Sequence, residues 1–502
     1  MKKFKSLLII VFSAFLVVSC QDALDITQDG EIDNAASFKT VNNLRQFLIG
    51  SVYNRVNNTN EIEFTAIFTD EVGIGKSSGG QGLELHRYIF NANDGYASSL
   101  WLSQYALINR INRLIEVSDL VVTTTPADEA TKQSIIAEAR AIRAYAYLQL
   151  QAFYSTNMAD NDALGVMLLD YVPAIDAKLP RVKNSEIYAL MEADLNFAQD
   201  NLAATNVNYK YVTRGMIDAV RSRMYLYRGL FDLAKQYAQS AITNSGLSLA
   251  TATTYGGSTS SSAGMMWNDL DRGEIIFAAS RPSAGAWSNI GGIFAFNISE
   301  NNGGIFHDMG RNLFNQLNGS TGDIRRNRFV DVSSAINANY LTAADYLISD
   351  NIVIDKYPGK TSQPLRNDLK LFRVSELVLI IAECEARKAS PDLAAAAQRV
   401  KSIRDARFTA SQSLPVYSNA QEALTDILLE RRKELCFEGH RYLDLKRLGA
   451  LTNKSIDRNI TDDSVPNTPL TLPIDDFRFT FPIPQDEIAG NLTIVQNPGY
   501  SN

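Results

Sequence analysis
The sequence predicts a mainly α-helical fold, a scaffold of helical hairpins carrying loop-rich inserts and a few short β-strands. Three observations predict it. Apolar residues recur at spacings of three and four near 40–57, 97–118, 130–155, 184–203, 213–228, 231–244, 369–388, 392–407 and 420–447. Two of the helix pairs share one plan, an apolar-rich helix (rich in Tyr, Leu and Ala in the first pair), a short break and a second helix beginning Asp-Leu-Ala. Between them, 245–367 turns to Gly, Ser, Asn and Thr ("TATTYGGSTSSSAG", "AWSNIGGIFAFNISENNGG"). With 502 residues, 45% of them hydrophobic, the chain can bury a large core around such a scaffold.

Residues 1–19 stand apart from the fold. "MKKFKSLLIIVFSAFLVVSC" has three lysines, an apolar run from Leu7 to Val18, then Ser19-Cys20. That is the build of a secretory signal peptide, its apolar run too short to span a bilayer comfortably. Val17-Val18-Ser19-Cys20 resembles the bacterial lipobox, which implies that Cys20 becomes the lipidated first residue of the mature chain, 20–502. No later run reads as a transmembrane helix, so the body is expected in an aqueous compartment on a lipid tether.

After a polar lead-in, "QDALDITQDGEIDNAASF", the helices begin. In the pair at 213–244 the first helix stops at Gly229 and the second opens at Asp232; in the pair at 369–407 the stop is Ser390-Pro391 and the opening Asp392. Small residues at the crossings and Asp at each second start resemble tetratricopeptide hairpins, which need stacked neighbours. Loop-rich inserts fall at about 70–96 ("DEVGIGKSSGGQGLELHRYIFNAND") and 245–367, the second carrying β-like pieces "GEIIFAAS" and "NIVIDKYPG". Inserts on a helical frame are where binding residues usually sit.

Several chemistries find no support. The formal net charge of −7, without a basic run, argues against nucleic acid. His86, His307 and His440 are far apart and no Cys/His spacing marks a metal site. Cys384 and Cys436 lie in apolar helical stretches and read as buried thiols, a disulfide between them being the alternative open to an exported protein. "GKSSG" at 75–79 fits G-x-S-x-G by letter but lacks the strand and helix of a nucleophile elbow. Asp70 stands where a phosphate-binding loop ending Gly75-Lys76-Ser77 needs its first glycine. No cofactor motif occurs, and nothing selects a glycosidase carboxylate pair.

The stretch "ILLERRKELCFEGHRYLDLKRLG", 427–449, raises the question of catalysis most directly. Read as one helix over 420–447, it stacks Glu430, Glu434 and Glu438 beside Arg431, Lys433 and Arg441. Basic partners keep carboxylates ionised, whereas a general acid needs a raised pKa, so the stretch is expected to be structural.

That stretch also carries a resemblance. With "FLIGSVYNRV", "EARAIRAYAYLQLQAFY", "TRGMIDAVRSRMYLYRGLFDLAKQYAQSAI", "EIIFA", "DIRRNRF", "KYPG", "FRVSELVLIIAECEARKA" and "FTFPIPQDEIAGNLTIVQNPGY", it resembles the SusD/RagB family of outer-membrane nutrient-binding lipoproteins, in the family's order over nearly the whole mature chain. The departures are Cys436 and Phe437 where small residues are common, and Ser375 where Ala is usual. The resemblance implies a tetratricopeptide-containing fold anchored by Cys20 at the outer face of the outer membrane; Asp22 and Asp25 are compatible with surface export. It implies a non-enzymatic role, capturing a glycan, or less often a peptide, for a SusC-like TonB-dependent transporter. A protein-only tetratricopeptide adaptor is the alternative from another class.

For a glycan, the expected contacts come from the two inserts. Trp287, in "RPSAGAWSNIGG", has no apolar periodicity to claim it for a core. Tyr96 follows the turn-like "NANDG", and Phe294 and Phe296 are weaker aromatic candidates. Asp70, Arg87 and Asp94 supply acceptors and a donor for hydroxyls. Trp101, among helical neighbours, is assigned to the core, and Trp267 to neither role.

Overall fold
The computed structural model describes residues 38–74, 78–255, 266–281, 290–294, 305–345, 347, 349–463 and 468–501. Helices dominate. The longer ones are α1 (Val41–Phe47), α2 (Thr59–Phe68), α3 (Gly95–Ser118), α4 (Pro126–Tyr154), α5 (Asn184–Asn201), α6 (Arg214–Tyr227) and α7 (Phe231–Ser245). Within the second insert lies α8 (Arg311–Asn318), and after it come α9 (Val374–Arg387), α10 (Leu393–Arg407), α11 (Ala420–Leu435) and α12 (Arg441–Thr452). Their starts follow from local chemistry. Thr40, Asp94, Thr125, Thr213, Asp392 and Asn419 each accept a backbone N–H of the first turn, and Pro126 opens α4.

Consecutive helices pack as hairpins, α4 on α5, α6 on α7, α9 on α10 and α11 on α12, while α7 lies on α9 and α9 on α11. Small residues permit the approach. Ser222 of α6 donates to the Ala234 carbonyl of α7, and a Cβ on Gly215 would come within 3.2 Å of the Ser245 Cβ. The expected Asp at each second start holds only once. Asp392 caps α10, whereas Leu230 precedes α7 and Asp232 sits in its first turn.

Three two-stranded sheets decorate the scaffold: β1 (Val72–Ile74) pairs with β3 (His307–Met309), β2 (Ile275–Ala279) with β6 (Leu369–Arg373), and β4 (Gly359–Lys360) with β5 (Gln363–Pro364), all antiparallel. The helix expected from 369 therefore begins at Val374, because Leu369–Arg373 is claimed as a strand by β2. "NIVIDKYPG" forms only isolated bridges, Ala335–Asn351 and Val330–Ile354, before β4. Cys384 and Cys436 are free buried thiols. Trp101 is core as expected, and Trp267 proves to be core as well.

The helix expected over 420–447 is two. It ends at Leu435, and Phe437 and Gly439 take left-handed backbone angles, φ 63° and 84°. A helix end inside a core strands carbonyls that must find donors. Here they do: Glu434 O accepts from Arg373 Nη2 (2.7 Å) and Lys356 Nζ (3.1 Å), Cys436 O from Lys356 Nζ (2.7 Å), and Phe437 O from the Tyr357 hydroxyl (2.9 Å). The carboxylates of α11 face the same cations. Arg373 contacts Glu274, Glu434 and Glu438, each at 2.7 Å. Arg407 reaches Glu274 (2.9 Å) and Glu434 (3.0 Å), while Arg325 reaches Glu430 (2.7 Å) and Asp323 (2.7 Å). The partners expected from the sequence point elsewhere: Arg431 to Asp444 and Arg441 to Asp70, with Lys433 only 3.8 Å from Glu430.

These carboxylates are held ionised. Burial alone would raise Glu430, but the charges of Arg325, Lys433 and Arg404 outweigh it and hold it at about 2. Burial against Arg447 and Arg387 likewise leaves Glu383 at about 2. From about pH 4.5 downwards the unfolded chain takes up protons that these folded carboxylates refuse, so stability falls towards acid. Glu71 and Glu61 act oppositely, pushed up by burial to about 8 and about 7. Their folded forms keep protons that the unfolded chain has lost, so raising the pH through 7 and 8 also costs stability. Thermal unfolding followed by circular dichroism should show maximal stability near about pH 5, and Glu71→Gln should flatten the alkaline limb. A profile with no alkaline decline would contradict this account of Glu71.

Candidate ligand-binding face
The two inserts meet. β1 belongs to the first and β3 to the second, in the register Val72–Met309, Gly73–Asp308 and Ile74–His307. A third segment lies across them: the Ile74 amide donates to Asp462 O at 2.8 Å. Gly73 is needed there, since a Cβ would sit 2.8 Å from that same oxygen. Arg311, at the start of α8, donates its amide to Asp462 Oδ1 (2.8 Å) and its Nη1 to Asp350 (2.5 Å), and its guanidinium lies 3.8 Å from the Tyr340 ring centre. The enclosed cavity among these groups, about 20 Å³, is large enough for a water and nothing more. Burial pushes Asp462 up to about 6 despite the Arg311 and Asn459 amides. Arg458 anchors the third segment from below, donating to Thr69 O (2.6 Å), Phe68 O (2.7 Å) and Ile67 O (3.0 Å) at the carboxyl end of α2.

The structure distributes the expected contact residues unevenly. Asp70 is a correction. It is 1% exposed, bonded by both Nε (2.8 Å) and Nη2 (2.7 Å) of Arg441 and by the Asp457 amide (2.9 Å). Burial opposes its charge, but Arg432 and Arg441 hold it well below the usual carboxylate range. It leaves α2 pointing inward at α12, and has no surface to offer a ligand. Arg87 does reach the surface, its side chain 29% exposed and paired with Asp463 at 3.3 Å beside the third segment. Asp94 and Tyr96 sit apart from it. Asp94 caps α3, and the half-buried Tyr96 ring packs 6.0 Å from Phe64, its hydroxyl bonded to Glu63. Trp287 and Phe296 fall outside the described residues, as do Gly75–Ser77 of "GKSSG". Of the neighbours of Trp287, Arg281 is fixed by Asp368 (2.6 Å) and Val56 O (2.7 Å), and Gly291 by Leu365 O (3.2 Å). Phe294 is core, stacked 6.2 Å from Tyr357.

The sequence reading missed the third segment altogether. Its polar "NITDDS" is a turn signal without periodicity, and only its position against β1 gives it a part. Among the described residues no group of three or more His, Cys, Asp or Glu side chains is placed to hold a metal, and no helix is long and apolar enough to cross a membrane.

Comparison with known proteins shows that other chains share this fold. The SusD family model matches residues 294–500, from within the second insert through α8–α12. The chain aligns with SusD-like protein P2 of Formosa agariphila at 24% identity, over 100% of both chains. By the matched segment and the full-length alignment, it resembles the SusD family. A SusD-like protein of Bacteroides ovatus is 25% identical over 49% of this chain and 45% of its own. Among solved structures, a putative sugar binding protein from Bacteroides vulgatus superposes with a TM-score of 0.74 at 22% identity, covering 93% of this chain and 100% of its own. A SusD-like carbohydrate binding protein from the same species gives 0.70 at 20% identity, over 91% and 98%. The part matched by the family model contains Arg325, Lys356, Arg373, Arg407 and the α11 glutamates.

The placement of Asp70 is testable. Asp70→Asn leaves Arg441 and Arg432 short of their shared buried counter-charge and should lower stability by roughly 3 kcal/mol, read from denaturant unfolding. A variant as stable as wild type would contradict the buried placement.

Proposed function
We propose that this chain is a cell-surface glycan-capturing lipoprotein that presents oligosaccharide or polysaccharide to a SusC-like TonB-dependent transporter, without catalysing a reaction on it. The observation that carries the reading is the end-to-end alignment with a SusD-like protein, on a fold shared with proteins described as sugar or carbohydrate binding. The mature unit is 20–502, one SusD-like body behind a leader of 1–19. Cys20 bears the lipid that holds it to the outer membrane. Confining capture protein and transporter to one membrane raises their effective concentration, so a modest contact between them suffices.

The glycan contacts belong to the joined inserts. Trp287 and Phe296 supply apolar ring faces, and Arg87 with Asp463 supplies a donor and acceptors. Tyr96 and Asp94 contribute at most from the margin, with a ring packed on Phe64 and a carboxylate committed to a helix cap. Two or three ring contacts at roughly 1 kcal/mol each, with a few net hydrogen bonds, give millimolar to micromolar affinity. Such affinity permits release.

Calorimetry against a panel of oligosaccharides and peptides tests the ligand class. A sugar should bind, and Trp287→Ala should weaken it roughly ten-fold; equal binding by the variant removes Trp287 from the site, and binding of peptides alone reassigns the ligand. The anchor is tested separately. Cys20→Ala should lose lipid labelling and leave the membrane fraction, and a mutant still membrane-bound and labelled contradicts the lipidation.

A further inference from the structure
Several other clefts open among the described residues. One, of about 380 Å³ beside Trp101, is walled largely by aliphatic groups such as Leu102, Pro173 and Ile175. Another, of about 450 Å³, is lined by Arg432 and Arg441, whose guanidinium groups already serve Asp70. A third combines features that neither has. It is an open cleft of about 520 Å³ between α1, the middle of α4 and the loop after α5, within the roughly 300–1,000 Å³ typical of small-molecule sites. None of its lining residues belongs to the joined inserts.

Its wall is built around Tyr211. That ring is half-buried and held edge-on against Tyr53, with centroids 5.0 Å apart and planes at 88°. The position is fixed twice more: the Val212 amide donates to the Tyr53 hydroxyl oxygen at 2.8 Å, and that hydroxyl donates to the buried Glu138 carboxylate. Arg45 neutralises Glu138 at 2.6 Å through Nη1, while its side chain stays 32% exposed in the cleft. The loop opposite is tied down by Ala203 N to Ser134 Oγ at 3.2 Å, and brings Asn201, Thr205 and Asn206 to the rim. Among the described residues, the ionisable groups lining the cleft besides the Tyr211 hydroxyl are one mutually neutralised pair. A fixed ring and a guanidinium, among amides and hydroxyls and without net charge, match a neutral polyhydroxylated ligand. An acidic ligand would meet Glu138, and an apolar one would strip water from the amides.

We propose that this cleft is a second carbohydrate site, on the helical scaffold, in which Tyr211 stacks on a sugar ring and Arg45 and Asn206 bond its hydroxyls. It takes the ligand class from the function proposed above but uses none of the insert residues. The test is saturation-transfer difference NMR with maltohexaose, cellohexaose, xylohexaose, laminarihexaose and mannohexaose, on full-length mature protein carrying Trp287→Ala, which weakens the insert site. At least one sugar should still receive saturation. Adding Tyr211→Phe should preserve it, because the ring remains, and adding Tyr211→Ala or Asn206→Ala should raise Kd roughly ten-fold. Asn206, at the rim of an exposed loop, keeps the test valid if Tyr211→Ala folds poorly. Binding unaffected by either substitution overturns the second site. Binding lost with Trp287→Ala alone overturns it too and leaves the insert site standing, whereas no binding by wild type to any of these sugars overturns both.

Discussion
Arg373 is the interaction on which the rest of the structure depends. It ends β6, and its side chain is 2% exposed with Glu274, Glu434 and Glu438 around it and the Glu434 carbonyl as a further acceptor. Taking such charges out of water costs several kcal/mol per ion, and their mutual attraction recovers that only when the geometry is good. The net gain over a well-packed apolar core is therefore small. What the network imposes is position. Glu274 precedes β2, Arg407 closes α10, Arg325 belongs to the second insert and Glu430 and Glu434 to α11. Any shift of α11 by one residue would leave several of these charges buried without partners, a larger loss than any gain that a looser packing offers.

The same constraint reaches the face formed by the joined inserts. Because α11 must stop where its last carbonyls meet Lys356 and Arg373, the chain turns at Phe437 and Gly439 and starts α12 with Arg441 pointing at Asp70. Asp70 is two residues before β1, and β1 carries β3 and the third segment. Each step is a hydrogen-bonded or ion-paired contact between elements far apart in sequence. The inserts are thus mounted on the charged core, although none of the core charges lies on the surface that they form.

This chain of contacts explains what was legible in the sequence. Helices with one wet face declared themselves by period, and their caps by Thr, Asp and Asn at the right places. The helix α2 did not, because Ile62 and Phe64–Phe68 are all buried and even Glu61 is, so no polar stripe interrupts the apolar run. Leu369–Arg373 was indistinguishable from a helical first turn until β2 was seen beside it. The break after Leu435 was hidden for the same reason: the donors that stabilise it are Lys356 and Arg373, both from outside the segment. Asp70 looked like a loop acceptor because its partner stands 371 residues away. Pattern reports exposure along one element; it does not report which distant charge will be brought to it.

A rigid mount has a consequence for weak binding. Ring contacts and hydrogen bonds to sugars are individually small, so little of their free energy can be lost to ordering the protein if any affinity is to remain. Groups already fixed before the ligand arrives keep nearly all of it. Tyr211 is fixed in this sense by Tyr53, Glu138 and Arg45, and Arg87 by Asp463. A polymeric glycan adds a second effect. Two weak sites on one body hold a long chain far more tightly than either holds a short one, since binding at the first places the chain at high effective concentration for the second. Each site alone still releases quickly. On the function proposed above, a body with two such sites would retain polymer yet yield fragments once the polymer is cut.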